Sequence, residues 1–226
     1  MATSYGSPPI VTAGLIYYID GYNSKTIATG STAVNDLQNT YNGTMTGNMF
    51  FADNCWNFTD GYIDNGTVNV PAFTEFTLDM WVQVTDKTTN KTFLDWGYEG
   101  TNNGILFYQH SGAPGNFRAL IYNQDGTVLY GDVANSAAIV NDTWVNIGFK
   151  WSATSNQLEG LRNGEYTGTT ITAAGTSVEG GSANFKIGDS SFPPMVGKIA
   201  TCRIYNRVLS DAEVLQNYNA LKGRFE

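Results

Sequence analysis

Between Phe76 and Val84 the side chains alternate, with Phe76, Leu78, Met80, Val82 and Val84 on one side and Thr77, Asp79, Trp81 and Gln83 on the other. A repeat of two marks an extended strand, because successive side chains point to opposite faces of a sheet. Thr143, Val145, Ile147, Phe149 and Trp151 show the same repeat. The dipeptides Asn65-Gly66, Asn103-Gly104, Asp125-Gly126 and Asn163-Gly164 stand between such runs, where the positive backbone dihedrals of a tight hairpin cost Asn, Asp and Gly little. Asp125-Gly126 reads as the clearest of these hairpins. No helical crossover pattern lies between the runs, so an all-β chain is expected, with antiparallel sheets stacked as a two-sheet sandwich or jelly roll.

The end of the chain breaks the pattern. Ser210 is followed three residues later by Glu213, a capping-box spacing in which hydroxyl and carboxylate satisfy helix-start amides. A short helix should begin near Asp211, carry Val214, Leu215, Tyr218 and Leu221 on one apolar face, and leave through a left-handed Gly223. The 226-residue chain, 42% hydrophobic and 13% aromatic, is long enough to bury one full core without staples. Neither a fixed-period repeat nor a low-complexity linker divides it. One domain over residues 14–226 is expected, preceded by an N-terminal arm over 1–13 that is extended by Gly6-Ser7-Pro8-Pro9.

Charge restricts the partners. A net charge of −8 and an isoelectric point near 4.5 argue against a groove that tracks nucleic-acid phosphates, which needs clustered Lys and Arg. Arg203, Arg207, Lys222 and Arg224 gather near the end, and their reading is as solvated charges around a helix C-terminus. The start Met1-Ala2-Thr3-Ser4-Tyr5 lacks the charged region and apolar core of a secretion signal, and no apolar run is long enough to cross a bilayer. A chain made in a cytosol is expected to keep Cys55 and Cys202 as thiols. Cys202 alternates with Ala200 and Ile204 as a small buried hydrophobe would, and a Cys55 to Cys202 disulfide is the alternative.

Several short motifs occur in order: Gly14-Leu15-Ile16-Tyr17-Tyr18-Ile19-Asp20, Asp36-Leu37, Asn42-Gly43-Thr44, Phe58-Thr59-Asp60-Gly61-Tyr62-Ile63, Phe76-Thr77-Leu78-Asp79-Met80-Trp81-Val82, Thr143-Trp144, Asn163-Gly164, Ile187-Gly188, and Gly197-Lys198-Ile199-Ala200 through Tyr205-Asn206-Arg207. Together they resemble the concanavalin A-like LamG (laminin G-like) jelly-roll family, from Gly14 to Phe225. The resemblance implies two curved antiparallel sheets with one short C-terminal helix, and leaves activity to be argued from sites. The short Pro-containing arm with Ile10-Val11-Thr12, and the ending Asn217-Tyr218-Asn219-Ala220-Leu221-Lys222-Gly223-Arg224-Phe225, are similar to those of virion structural proteins of tailed bacteriophages. That likeness implies a non-enzymatic capsid decoration or a tail or fibre component located in the virion. Such a protein would be a homo-oligomer, partnered by other virion proteins, and would aid adhesion to host surface glycans. A lectin-like carbohydrate-binding module is the alternative, and a glycoside hydrolase a further one.

The chemistry-bearing residues divide these readings. Glycoside hydrolysis needs two carboxylates flanking the scissile bond, and Glu75 with Asp79 lacks the intervening acidic motif of the family's glucanases. Asp79 reads instead as a solvated or hydrogen-bonded strand residue. His110, the sole histidine, leaves most Ser and Cys triads without a base and makes no multi-histidine metal cage. Asn123-Gln124-Asp125-Gly126-Thr127 is similar to the acidic turns of sialidases, but its spacing to a Trp differs. The family resemblance implies calcium at Asp20, with the rest of such a site unassigned. Sugar binding uses aromatic platforms with amide and carboxylate partners on loops. Asp95-Trp96-Gly97-Tyr98-Glu99 leading into Asn102-Asn103-Gly104 has that chemistry, as do Trp151 with Asn156 and Tyr130 with Asp132. The candidate ligand-binding residues are therefore Trp96, Tyr98, Asn103 and Tyr130.

Overall fold

The computed structural model describes residues 8–98, 104–112, 115–122, 128–132, 139–155, 157–172, 177–178, 181–189 and 193–225. Among them run β1 (Leu15–Asp20), β2 (Ala33–Val34), β3 (Gly43–Ala52), β4 (Cys55–Val70), β5 (Glu75–Val84), β6 (Lys91–Trp96) and β7 (Gly104–Gln109). There follow β8 (Phe117–Tyr122), β9 (Val128–Asp132), β10 (Trp144–Ser152), β11 (Gln157–Arg162), β12 (Glu165–Thr172), β13 (Gly181–Ile187), β14 (Gly197–Tyr205) and α1 (Asp211–Leu221). The strands pair antiparallel in the order β12-β11-β10-β5-β14-β4-β13-β6-β7-β8-β9, with β1 on β14 and β3 on β4. The sheet curls on itself. One layer is β12-β11-β10-β5-β14-β1, the other β3-β4-β13-β6-β7-β8-β9, and they join where Gly197–Ile199 meets Trp56–Phe58. The expected antiparallel jelly-roll sandwich with one short C-terminal helix is what forms.

The core lies between the layers. Phe76, Leu78, Met80 and Val82 of β5 enter it together with Phe149 and Trp151 of β10 and, from the facing layer, Trp96, Phe107, Phe185 and Ile187. Phe107 and Phe149 meet across the sandwich with ring centroids 5.1 Å apart. Each such ring removes about 150–250 Å² of surface from water, and tilted ring pairs of this kind fix the distance between layers. Cys202 points into this core, whereas Cys55 belongs to a separate cluster with Trp81, Ala200 and Leu221. Both are free thiols, and burial pushes both thiols up from their ordinary pKa.

Two turn expectations resolve differently. Asn163 and Gly164 have φ of 48° and 83° and join Arg162 to its partner Glu165, a two-residue hairpin that requires positive φ at both positions. Asn65 and Gly66, in contrast, lie inside β4, where the register against β13 slips between Asn184 and Lys186. Gly66 at φ 77° makes a bulge in one long strand rather than a turn between two, because pairing to β13 continues on both sides. Asn103 and Asp125-Gly126 lie outside the described residues, although the flanking β8 and β9 pair antiparallel from Tyr122 with Val128.

The outward face of β5 and β14 departs most from expectation. Thr77, Asp79 and Trp81, which alternate away from the core, are also buried, because α1 and the segment after it lie across them. The predicted capping box is present: Ser210 Oγ accepts from the Glu213 amide, and the Glu213 carboxylate accepts from the Ser210 amide at 2.9 Å. Val214 and Leu221 face inward as expected, but Leu215 is 45% exposed and Asn217 takes an inward place. Asn217 accepts from the Val11 amide at 2.8 Å and donates to the Tyr205 hydroxyl at 3.0 Å, so residues 8–13 of the arm are held against α1. Gly223 sits in a 3₁₀ turn, Lys222–Arg224, rather than in a left-handed exit. That turn carries Phe225 onto Trp81, where the rings stack at 4.3 Å.

The cations expected in solvent are largely paired. Arg203 is fully buried and donates to Asp79 at 2.7 Å, which also corrects the solvated reading of Asp79. Arg207 grips Glu213 with two bonds of 2.9 and 2.6 Å. Arg224 lies 3.0 Å from Asp20. A helix packed on a polar sheet face makes this necessary, since a charge taken out of water must be paired.

Candidate functional site

The inner side of the second layer is apolar, so its alternate residues face outward. Register places Asp64 of β4 beside Lys186 of β13, Lys186 beside Asp95 of β6, Asp95 beside Leu106 of β7, Leu106 beside Leu120 of β8, and Leu120 beside Tyr130 of β9. One rung of register partners thus crosses six strands. The neighbouring rung holds Tyr108 paired with Arg118, and the other holds Tyr122 opposite Gly104. Asp95, Leu106 and Tyr108 are buried at the centre, while Tyr62, Lys186, Arg118, Leu120 and Tyr122 are half-buried around them. The result is an outward-facing patch with a buried centre and a polar and aromatic rim.

Its geometry is set locally. Gly97 donates from its backbone to the Asn184 carbonyl at 2.9 Å, and the Tyr98 amide donates to the Asp95 carboxylate at 2.8 Å. These bonds fold the chain after β6 so that the Tyr98 ring reaches Tyr122, with centroids 5.6 Å apart and planes at 45°. Burial, followed by the adjacent Tyr122 hydroxyl, pushes the Tyr98 phenol up from its ordinary pKa. The Lys186 ammonium lies 3.4 Å from Asp189 and 4.8 Å from the centre of the Tyr62 ring. Thr67 donates to the Asn184 side chain at 3.0 Å. Rings whose faces pack C–H groups, beside carboxylates, an ammonium and amides that direct hydrogen bonds, constitute a surface able to hold a polyhydroxylated ligand.

The structure separates the residues singled out from the sequence. Tyr98 and the strand position of Tyr130 belong to this face, and Asn103 lies outside the described residues. Trp96 does not belong: it is 0% exposed, stacks on Phe185 at 4.8 Å and points into the sandwich. Register explains the correction, since Trp96 pairs with the inward Phe185 and its neighbour Asp95 with the outward Lys186. Trp151 is likewise in the core. Tyr62, Lys186, Tyr122 and Arg118 carry no signal in the sequence, because strand register between β4, β13, β6, β7 and β8 brings them to this face.

Asp20 does not fit calcium. Its two oxygens are taken by Arg224 at 3.0 Å each, by the Tyr18 hydroxyl at 2.7 Å and by the Tyr22 amide at 2.9 Å, so a guanidinium stands where a cation would. Glu75 accepts from Ser152 at 3.0 Å beside a cleft of about 350 Å³, while Asp79 is locked to Arg203 beneath the helix. His110 sits beyond β7 with its ring edge-on to Tyr108 at 6.2 Å. Among the described residues no helix is long and apolar enough to cross a membrane.

The family model described as concanavalin A-like lectin/glucanases superfamily matches residues 57–215, from β4 into α1. No curated protein matches the chain significantly. Among solved structures it is similar to Trypanosoma rangeli sialidase in complex with sialic acid, at 14% identity and a TM-score of 0.65 over 98% of this chain and 36% of that one. It is also similar to the botulinum neurotoxin serotype D ligand binding domain in complex with N-acetylneuraminic acid, at 12% identity and 0.61 over 91% and 50%. The binding domain of Paraclostridial Mosquitocidal Protein 1 superposes with 14% identity and 0.66 over 92% and 52%. The chain spans between about a third and a half of the length of these proteins.

Proposed function

The chain belongs to the concanavalin A-like lectin/glucanases superfamily, and from that premise we propose that it is a non-enzymatic, lectin-like carbohydrate-binding module displayed as a structural protein of a tailed-phage virion. The observation that carries the binding part is the outward rung Asp64, Lys186, Asp95, rimmed by Tyr62, Tyr98 and Tyr122. The neurotoxin domain and the sialidase are described in complex with sialic acid, which supports a sugar as the ligand class. Display in copies would multiply weak sites into useful avidity, and an acidic surface keeps unassembled copies apart.

The glycoside hydrolase alternative has less support. Asp64 and Asp95 share a rung two strands apart, roughly 10 Å, but the residue between them is Lys186. An inverting glycosidase holds the scissile bond and its water in that interval.

A glycan array followed by calorimetry on the best ligand tests the binding reading. Wild type should bind, and Tyr98→Ala and Tyr122→Ala should each weaken binding about tenfold or more while keeping the melting temperature within a few degrees. Absence of any bound glycan, or binding indifferent to both variants, refutes it. Mass spectrometry of purified particles tests display, which fails if the chain is missing from them.

A further inference from the structure

Among the described residues the face carries the carboxylates Asp64, Asp95 and Asp189, and its Lys186 stands among them. Lys186 has Asp64 and Asp95 as register partners on its two sides, and its ammonium lies 3.4 Å from Asp189. Arg118 is the register partner of Asp132. Beyond the face, the chain as a whole carries a net charge of −8. An acidic sugar is ordinarily gripped through a charge-assisted bond from an Arg or Lys to its carboxylate. Here that bond would form beside a carboxylate already in place, and the incoming anion would meet its neighbours at like charge. Sugar hydroxyls meet no such penalty, since each can donate to a carboxylate and accept from the ammonium. The Tyr98 and Tyr122 rings add packing area that is indifferent to charge.

We infer that this face selects neutral, hydroxyl-rich sugars and rejects those bearing a carboxylate. The inference rests on the carbohydrate-binding reading above and adds the ligand class to it. It separates this chain from its fold neighbours, which are described with sialic acid.

The test prints sialylated glycans beside the same glycans after enzymatic desialylation and probes both with wild type, Asp64→Asn and Asp189→Asn. Asn at position 64 retains an oxygen for the Gly66 amide, which donates to Asp64 at 2.8 Å, so the bulge is kept. The expected result is at least tenfold stronger signal on the desialylated member of each pair. Removing one carboxylate should raise the sialylated signal about fivefold, the factor given by a unit charge some 4 Å away in water. Equal or stronger binding of the sialylated members, lost in Tyr98→Ala, overturns the selectivity while leaving glycan binding at this face intact. An unchanged ratio in both Asn variants also overturns it. Silence on every glycan overturns the underlying reading with it.

Discussion

Replacing Asp79 by Ala should cost far more than a strand-surface change normally does. Arg203 and Asp79 are 0% and 1% exposed, and their charged atoms are 2.7 Å apart. Asn146, also buried, donates to the other Asp79 oxygen. Truncating the aspartate leaves a guanidinium with no carboxylate beneath α1, and Nε and Nη1 of Arg203 already have no partner. Breaking a buried pair in this way costs about 3–5 kcal/mol. At roughly 2–4 °C per kcal/mol for a domain of this size, the melting temperature should fall by about 6–20 °C. Urea unfolding followed by tryptophan fluorescence should give the same loss of free energy at unchanged slope. The pair itself is worth little net, because desolvation offsets attraction. The double variant Asp79→Leu with Arg203→Met should therefore recover most of the loss. An Asp79→Ala loss below about 1 kcal/mol, or a double variant no better than the single one, would refute the claim that this face is dry and that pairing is obligatory.

Further outcomes follow from the cap and the hairpin. Arg207 and the Ser210 amide hold the Glu213 carboxyl down to about 2, below its ordinary value. A depressed folded pKa contributes stability that is complete above the unfolded value near 4.5 and is lost as pH falls towards 2. After allowance for solvent screening of this partly exposed pair, acid titration of wild type should lose about 1 kcal/mol over that window that Glu213→Gln does not lose. Equal acid sensitivity of both proteins would refute this assignment. Gly164→Ala should destabilise by about 1–3 kcal/mol, because φ is 83° and a Cβ would lie 2.6 Å from that of Tyr218. Chemical denaturation showing no loss would mean that the hairpin does not press on the helix.

Legibility in the sequence followed the range of the interaction. The hairpin at Asn163-Gly164 and the capping box at Ser210 and Glu213 are set by neighbours within a few residues, so they could be read directly. The alternation of β5 likewise gave the core side, Phe76 to Val84, without reference to any partner. The other side of the same strand could not be read that way. Thr77, Asp79 and Trp81 resemble a solvated face until α1, more than 130 residues later, is laid over them. Asn65-Gly66 has the composition of a turn, and only its continued pairing with β13 makes it a bulge.

The candidate face shows the same division. Aromatic and polar residues around position 96 drew attention by their type, but type does not say which way a ring points. The chain alone determined an all-β antiparallel body and a late helix, because periodicity, capping and composition act locally or in bulk. Tertiary structure decided that Trp96 fills the core and Asp20 holds Arg224. It also decided that Asp64, Lys186 and Asp95 share a rung, because strand register, which aligns residues far apart in sequence, is fixed only when both faces of a sheet have found their cover.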